Sequence, residues 1–253
     1  MIQLKGLFKL APALAIKYFK KKGNTYIWDW YEIWQDAHKK TFTVAKAMRE
    51  DILKDIRSAV DKALTEGKTF HEFQKELKPT LQKKGWWGEQ IVVDSEGVAE
   101  KVQLGSMYRL KTIYSVNMQT AYQTGRYKTQ IDNVDNRPYW EYVAVMDAST
   151  RPEHAMLNGM IYRYDDPFWK SFYPPNGWRC RCRVNALSDY NVKKRKTPVS
   201  NSEGTLSQGM ALVSKKSEEY KPVTVYTDPL TGKKIAPDVG WSHNPASGLV
   251  EDD

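Results

Sequence analysis

The stretch PPNGWRCRCRV, residues 174–184, contains both cysteines of the 253-residue chain, separated by a single arginine. Its Pro-Pro-Asn-Gly start predicts a turn, and the residues that follow are predicted to form a strand over 178–186. Side chains alternate between the two faces of a strand. One face would then hold Trp178, Cys180, Cys182 and Val184, and the other would hold Arg179, Arg181 and Arg183. The segment therefore predicts a buried cysteine face and an exposed ridge of arginines.

The cysteine face has three interpretations. Two small buried thiols fill space in a core, since free cysteine is commonly buried. Alternatively, Cys180 and Cys182 bind zinc with His154 as a third ligand and Asp147 or His243 as a fourth, although zinc sites favour a two-residue gap between cysteines. A Cys180–Cys182 disulfide would close a very small, strained ring. The pattern alone leaves these alternatives open, with zinc as the possible cofactor.

The arginine face has two interpretations. It is either a solvated ridge or a surface that binds phosphate or carboxylate groups through guanidinium pairs. The formal net charge is +9, and the basic run KKRK follows at 193–196. The residues predicted to bind nucleic acid without sequence preference are Arg179, Arg181, Arg183, Lys193, Lys194, Arg195 and Lys196.

Composition places the chain among soluble proteins. Mean hydropathy is −0.65, and no run of 18 apolar residues is present, so no membrane partner is expected. Lys5, Lys9 and Lys17 interrupt the apolar start, which therefore does not match a signal peptide. We expect a cytoplasmic location, where the two thiols would stay reduced.

The N-terminal part, about residues 1–90, is predicted to be helical. Apolar residues recur at steps of three and four over 41–66, and Gly67 ends that pattern. Thr69 and Glu72 form a capping-box pattern for a second helix, which Pro79 would bend or end. Residues 91–104 are predicted to form a polar connection or a hairpin around Gly97.

A mixed α/β core is predicted over 105–190. A long helix begins at Ser106 and carries Asn117 in its apolar face, where a satisfied buried amide that contacts a neighbouring loop is expected. A strand over 137–147 and a short helix within 147–159 follow. Residues 191–253 are predicted to be an extended C-terminal arm with little core of its own. The predicted fold class is α+β.

Polar residues around His154 superficially suggest acid–base catalysis. They are Asp147, Thr150, Arg151 and Glu153. However, the sequence contains no phosphate-binding glycine loop, no His-Glu-x-x-His motif and no nucleophile elbow, so a non-enzyme is predicted. A zinc-dependent nuclease and a non-specific DNA-binding module stay as alternatives.

Three segments together carry a family resemblance: DASTRPEHAMLNG at 147–159, PFW at 167–169 and PPNGWRCRC at 174–182. They resemble the phage head morphogenesis family, the minor head proteins of the Mu F and SPP1 type. Further similar segments, including GWWG, RLKTIYSVNMQTAYQTGRY and PDVGWSHNP, extend the resemblance over about residues 10 to 248.

The resemblance implies a structural protein of the virion that acts with the portal in head assembly and in DNA packaging or ejection. Its implied partners are the portal protein, the major capsid or scaffold protein and phage DNA, and its implied location is the capsid interior. In SPP1-like members, two cysteines often occupy the positions that match Arg151 and His154. This chain keeps one possible ligand of that pair.

Overall fold

The computed structural model describes residues 12–93, 99–215 and 217–250. Its N-terminal part is helical, as predicted, with two short strands that pair in parallel. The helices are α1 (Pro12–Lys21), α2 (Ala37–Lys40), α3 (Glu50–Glu66) and α4 (Phe70–Lys83), and the strands are β1 (Gly23–Asn24) and β2 (Thr41–Phe42).

Helix α3 begins at Glu50, nine residues later than the predicted helix over 41–66. The difference arises because residues 41–42 pair with β1, and Lys46 then adopts a left-handed backbone conformation (φ 63°). The C-terminal end agrees with the prediction. Gly67 takes a left-handed conformation there, and its backbone N–H donates to the carbonyl of Ala63.

The capping box at the start of α4 is confirmed. The Thr69 hydroxyl accepts from the backbone N–H of Glu72 at 3.4 Å, and the Glu72 carboxylate accepts from the Thr69 N–H at 2.8 Å. Pro79 lies inside α4, which continues to Lys83, so Pro79 does not end the helix.

A hairpin and a long helix follow. Strands β3 (Glu89–Val93) and β4 (Ala99–Gln103) are antiparallel, and Gly97, the predicted centre of the hairpin, lies outside the described residues. Helix α5 spans Met107–Ile131, and Ser106 caps it by accepting the N–H of Arg109 at 3.2 Å. The predicted start of this helix is therefore confirmed.

Apolar side chains from α1, α3, α4 and the first part of α5 form one hydrophobic cluster. Its buried members include Phe19, Phe42, Ile56, Phe73, Leu77 and Leu110. None of the helices in the described part of the chain is long and apolar enough to span a membrane.

The second half contains a four-stranded sheet in the order β7-β5-β6-β8. Its strands are β5 (Tyr139–Val143), β6 (Ile161–Arg163), β7 (Arg183–Leu187) and β8 (Val199–Ser200). Strand β5 pairs antiparallel with both β6 and β7, and β8 is parallel to β6. Three short helices connect these strands: α6 (Pro152–Met156), α7 (Trp169–Phe172) and α8 (Asp189–Arg195). The structure combines helices with small, mainly antiparallel sheets, which confirms the α+β class.

The C-terminal segment differs from the predicted extended arm. Strands β9 (Leu206–Ser214), β10 (Glu219–Thr227) and β11 (Lys234–Ile235) form a second antiparallel sheet, and a 3₁₀ helix spans Ser247–Leu249. A second hydrophobic cluster is formed around the four-stranded sheet, with Trp140, Tyr142 and Phe168 among its buried members. Tyr226, Ile235 and Ala246 are buried in this second cluster, and Leu249 is buried in the first, N-terminal one. The prediction of an arm was based on the Ser, Lys, Pro and Gly content of this segment. Its few apolar residues are far apart in the sequence, but they pack into the hydrophobic clusters. The domain limits 1–90, 91–104, 105–190 and 191–253 stay predictions.

Gly177 shows how tightly the C-terminal segment packs on the 174–184 stretch. A Cβ atom at this position would lie 2.3 Å from a carboxylate oxygen of Asp238. The backbone N–H of Asp238 also donates to the carbonyl of Asn176 at 2.9 Å. Glycine at position 177 therefore permits an approach that a larger residue would block.

Candidate metal centre

The two cysteines lie immediately before strand β7, not within it. The predicted strand over 178–186 begins only at Arg183, where pairing with Val143 of β5 starts. Arg179 has a left-handed backbone conformation (φ 58°), which breaks the extended geometry. Trp178 is consequently 37% exposed, although the alternation predicted that it would be buried.

The alternation does hold from position 180 onward. Cys180 and Cys182 are 5% and 2% exposed and Val184 is fully buried, whereas Arg181 and Arg183 are exposed. The predicted burial of the cysteine face is therefore confirmed, and both thiols are free.

His154 completes a compact group of soft donor atoms with the two cysteines. Pro152 occupies the first turn of α6, which places His154 on the buried side of that short helix at 4% exposure. Its Nδ1 atom lies 3.7 Å from the Sγ of Cys180 and 3.6 Å from the Sγ of Cys182. One ligand atom from each residue lies within 4.8 Å of the other two.

This spacing fits one tetrahedral zinc ion. Zinc binds thiolate sulfur at about 2.3 Å and imidazole nitrogen at about 2.0–2.1 Å, so two such ligands lie roughly 3.6 Å apart in a tetrahedron. The two measured sulfur–nitrogen distances, 3.6 and 3.7 Å, agree with that value. His154, Cys180 and Cys182 could therefore supply three of the four ligands of a zinc ion.

The surroundings of the two thiols shift their pKa values in opposite directions. The hydrogen bond from Cys180 lowers the pKa of Cys182, and the contact with His154 acts in the same direction. The pKa of Cys180 is raised by its hydrogen bond to Cys182 and by burial. Cys182 is therefore the thiol favoured as a thiolate, which is the form that binds metals.

Helix α5 and the 174–177 turn support the cysteines from behind. The side-chain amides of Gln119 and Gln123 donate to the carbonyl of Cys182 at 2.9 and 3.0 Å. The Tyr142 hydroxyl donates to the Asn176 side chain at 2.9 Å. These contacts fix the backbone that carries the sulfur atoms.

The far ring nitrogen of His154 is a polar atom that the surrounding fold does not satisfy. Nε2 is buried and has no hydrogen-bond partner among the described residues. A histidine that binds a metal through one nitrogen usually donates its other N–H to an oxygen acceptor. The hydrogen bonds that hold the candidate site in place are therefore made by the segment that carries the two cysteines, and not by the His154 ring.

Neither residue predicted as a fourth ligand joins the three donor atoms. The carboxylate of Asp147 accepts two hydrogen bonds from Arg181, at 2.6 and 2.7 Å, and this pairing lowers the pKa of Asp147 to about 2. The ring of His243 stacks on Trp241 with 6.4 Å between centroids. The described residues thus provide three convergent ligands.

The arginines do not form one continuous ridge. Arg179 packs over the Tyr108 ring at 4.5 Å and donates to its hydroxyl at 3.2 Å, while Arg181 pairs with Asp147. Arg183 is exposed. The left-handed conformation of Arg179 separates it from the other two.

The basic run lies at the C-terminal end of α8. Lys193, Lys194 and Lys196 are exposed, whereas Arg195 forms an ion pair with Glu141. Of the seven residues predicted to bind nucleic acid, four thus extend into solvent without a side-chain partner among the described residues: Arg183, Lys193, Lys194 and Lys196. Nucleic acid binding by these seven residues stays a prediction.

The polar residues around His154 make structural contacts. The Thr150 hydroxyl donates to the carbonyl of Val145, and Arg151 pairs with Asp238 at 2.9 Å. Asn117 differs from its prediction, because its amide donates to the Ile113 carbonyl of its own helix at 2.8 Å rather than to a loop.

Sequence reasoning missed the glutamines of α5. Gln123 and Gln130 are buried, and their amides donate to the carbonyls of Cys182 and Val184 at 3.0 and 2.9 Å. The available signal was their spacing, since residues seven apart lie on one face of a helix.

Comparison with known proteins identifies the family. Residues 54–185 match the model of the phage Mu protein F like protein family. The chain is 48% identical, over its whole length, to a protein named capsid assembly protein F of Escherichia phage Mu. It is 43% identical, over 89% of its length, to the Mu-like prophage FluMu F protein of Haemophilus influenzae.

The chain spans 58% and 54% of the lengths of these two relatives. No solved structure matches it. The matched range, 54–185, contains His154, Cys180 and Cys182 together with helix α5 that supports them. On this evidence, the chain belongs to the phage Mu protein F like family.

Proposed function

We propose that the chain is a minor head protein of a tailed phage or prophage, and that it acts in head assembly as a structural component. The observation that carries this proposal is the 48% identity, along the whole chain, to a protein named capsid assembly protein F. Its partners would be the portal protein and the major capsid or scaffold protein, and its location the capsid interior, after assembly in the host cytoplasm.

The experiment is co-expression with the neighbouring phage genes. We expect the chain to co-purify with the portal ring and to remain with heads during sedimentation. Heads that assemble and package DNA normally when the gene is deleted would contradict the proposal. A portal-free lysate provides the control for non-specific association.

We further propose that His154, Cys180 and Cys182 hold a structural zinc ion. The three residues are 4%, 5% and 2% exposed, so their donor atoms face the protein interior. An ion there would join α6 to the segment that leads into β7. When bound, zinc would supply a cross-link between these elements in place of a disulfide.

The burial of the three ligands favours a structural zinc ion over the catalytic zinc ion of a nuclease. A hydrolytic zinc site keeps an open position that water and substrate can reach. A phosphodiester would have to approach donor atoms that are almost completely covered. Nuclease activity that disappears with the metal would overturn this choice.

Elemental analysis of protein purified without a histidine tag tests the zinc proposal. We expect about one equivalent of zinc in the wild type and a large loss in Cys182→Ser. A chelator should lower the melting temperature of the wild type but not that of the variant. Wild-type protein without zinc, and with unchanged stability in chelator, would contradict the proposal.

A further inference from the structure

A cleft of about 500 Å³ lies beside the first half of α5, and His154, Cys180 and Cys182 are not among the residues that line it. The segment that contains β2 forms one wall, and the residues around Trp178 and Trp241 form another. Its volume is in the range of pockets that bind small ligands.

Helix α5 presents a continuous stripe to this cleft. Arg109, Thr112, Val116 and Thr120 all line the cleft, at helical spacings of three and four residues. All four are only partly buried. This face of the longest described helix is therefore incompletely covered by the rest of the chain.

The lining carries positive charge and no carboxylate. Five lysine and arginine residues line the cleft among the described residues, and no aspartate or glutamate does. Lys39 and Arg151 are neutralised by Asp36 and Asp238, which lie outside the lining. The other three, Lys22, Arg109 and Arg179, form no ion pair within the described ranges.

These three cations contact only neutral groups. Lys22 donates to the carbonyl of His38 at 2.7 Å, and its ammonium lies 4.7 Å from the Tyr18 ring centroid. Arg109 donates to backbone carbonyls, including that of Gln103 at 2.8 Å. Burial lowers the pKa of Lys22 to about 7 and that of Arg109 to about 10. Lys22 and Arg109 are thus largely removed from water, and none of the three residues has a carboxylate partner within the described ranges.

We propose that this cleft binds an acidic segment of a partner polypeptide. An apolar side chain of that segment would pack on the α5 stripe, and its carboxylates would pair with Lys22, Arg109 and Arg179. The proposal extends the proposed function, because it gives the chemistry of a partner in assembly. Charge complementarity is the main reason, since buried cations are normally paired.

The compact shape of the cleft favours a short polypeptide segment over nucleic acid. Single-stranded nucleic acid is usually bound along an extended cationic groove with exposed aromatic platforms. This cleft is compact rather than an extended groove. Aliphatic side chains such as Val116 line it together with the aromatic rings of Tyr108 and Trp178. Such a surface suits leucine or phenylalanine side chains next to carboxylates.

Fluorescence anisotropy tests the proposal on the purified chain. The probe is a short fluorescein-labelled peptide that alternates acidic residues with leucine and phenylalanine. A matched peptide with asparagine and glutamine in place of the acids tests the role of charge, and an oligonucleotide of thymidine tests nucleic acid. The protein variants are Thr112→Glu, on the stripe, and Ser115→Glu, on the same helix but outside the lining.

We expect the acidic peptide to bind, and Thr112→Glu to weaken it about tenfold, which corresponds to ~1.4 kcal/mol. Ser115→Glu adds the same charge and should leave binding unchanged. We expect melting curves to show that both variants fold, because Thr112 and Ser115 are only partly buried and their hydroxyls bond to carbonyls of their own helix.

Three results would overturn the proposal. The first is that the acidic peptide does not bind at concentrations up to about 1 mM, the weak end of useful affinity. The second is that the amide peptide binds as tightly as the acidic one. The third is that the oligonucleotide binds, and that Thr112→Glu but not Ser115→Glu removes this binding. The assay contains no phage head, so its outcome is separate from the test of head assembly. If the peptide binds but the protein does not associate with heads, the cleft is a peptide-binding site and the proposed function in head assembly is wrong.

Discussion

At the scale of single residues, Cys180 and Arg181 are adjacent in sequence but lie in opposite environments. The Cys180 thiol is buried against His154, while the Arg181 guanidinium is exposed and pairs with Asp147. A charge at position 180 would have no compensating cation in the core. The loss of the exposed pair would cost little, since exposed ion pairs contribute about 0–1 kcal/mol.

We therefore predict that Cys180→Asp destabilises the protein by several kcal/mol, roughly 3 to 5, whereas Arg181→Gln costs less than about 1 kcal/mol. Urea denaturation in the presence of a chelator measures both, so that an aspartate cannot gain stability from a bound metal. If Arg181→Gln destabilised the protein more than Cys180→Asp, Arg181 and not Cys180 would be the residue that faces the core.

His38 gives a prediction for pH dependence. Burial lowers its pKa to about 4, with the charge of Lys22 acting in the same direction, against about 6.5 in an unfolded chain. The unfolded state therefore binds more protons between pH 6.5 and 4, and stability falls as the pH falls through that window.

Replacing His38 by Gln should remove this part of the pH dependence. We expect the free energy of unfolding of the wild type to drop about 1 to 3 kcal/mol more than that of the variant between pH 6.5 and 4. His71→Gln, at an exposed position, serves as the matched control. Equal pH profiles for wild type and His38→Gln would contradict the assignment.

At the scale of helices and strands, the sequence predicted those helix ends that depend on residues close by in the chain. The caps at Thr69 and Ser106 were predicted because each uses a hydrogen bond to a residue three positions later. The starts of α3 and β7 were wrong because they depend on partners distant in sequence, β1 and β5. Local patterns carry no information on where such pairing begins.

The capping box of α4 leads to a stability prediction. Thr69→Ala removes the hydroxyl that accepts the Glu72 N–H, and should cost about 1 kcal/mol, the typical value for loss of such a cap. Thermal melts compare it with Thr65→Ala, whose hydroxyl bonds only to the carbonyl of Asp61 within α3. A larger effect of Thr65→Ala would contradict the role given to the cap.

At the scale of the whole molecule, the candidate site was predictable in part. The grouping of Cys180 and Cys182 with His154 was proposed from chemistry, because these are soft ligands, and the structure brings them together. The supporting glutamines of α5 and the exclusion of Asp147 and His243 follow from tertiary packing. The C-terminal contribution to both hydrophobic clusters likewise depends on contacts far apart in sequence.

The exposed basic residues lead to a prediction about DNA binding. Arg183, Lys193, Lys194 and Lys196 should bind duplex DNA without sequence preference, and about four phosphate contacts imply a slope of roughly −3 to −4 for log affinity against log salt. Replacing the three lysines by Gln should flatten this slope by up to about 0.9 for each lost contact.

A triple variant with the same charge change controls for net charge. Lys54, Lys75 and Lys83 lie exposed on α3 and α4, away from the basic run. Replacing them by Gln should leave the salt dependence unchanged. The DNA prediction fails if titration of labelled duplex at low salt detects no binding, or if both triple variants behave alike.

The 3₁₀ helix at Ser247–Leu249 closes the first hydrophobic cluster from the opposite end of the described chain. Leu249 is buried in it, and Gly248 packs against the ring of Tyr18. During synthesis, α1, α3 and α4 leave the ribosome long before this segment does. The helices of the N-terminal cluster are thus made early, and one side of the cluster stays uncovered until translation has passed residue 249. Closure between such distant segments is slow compared with helix formation, so α1, α3 and α4 can form well before this side of the cluster is covered.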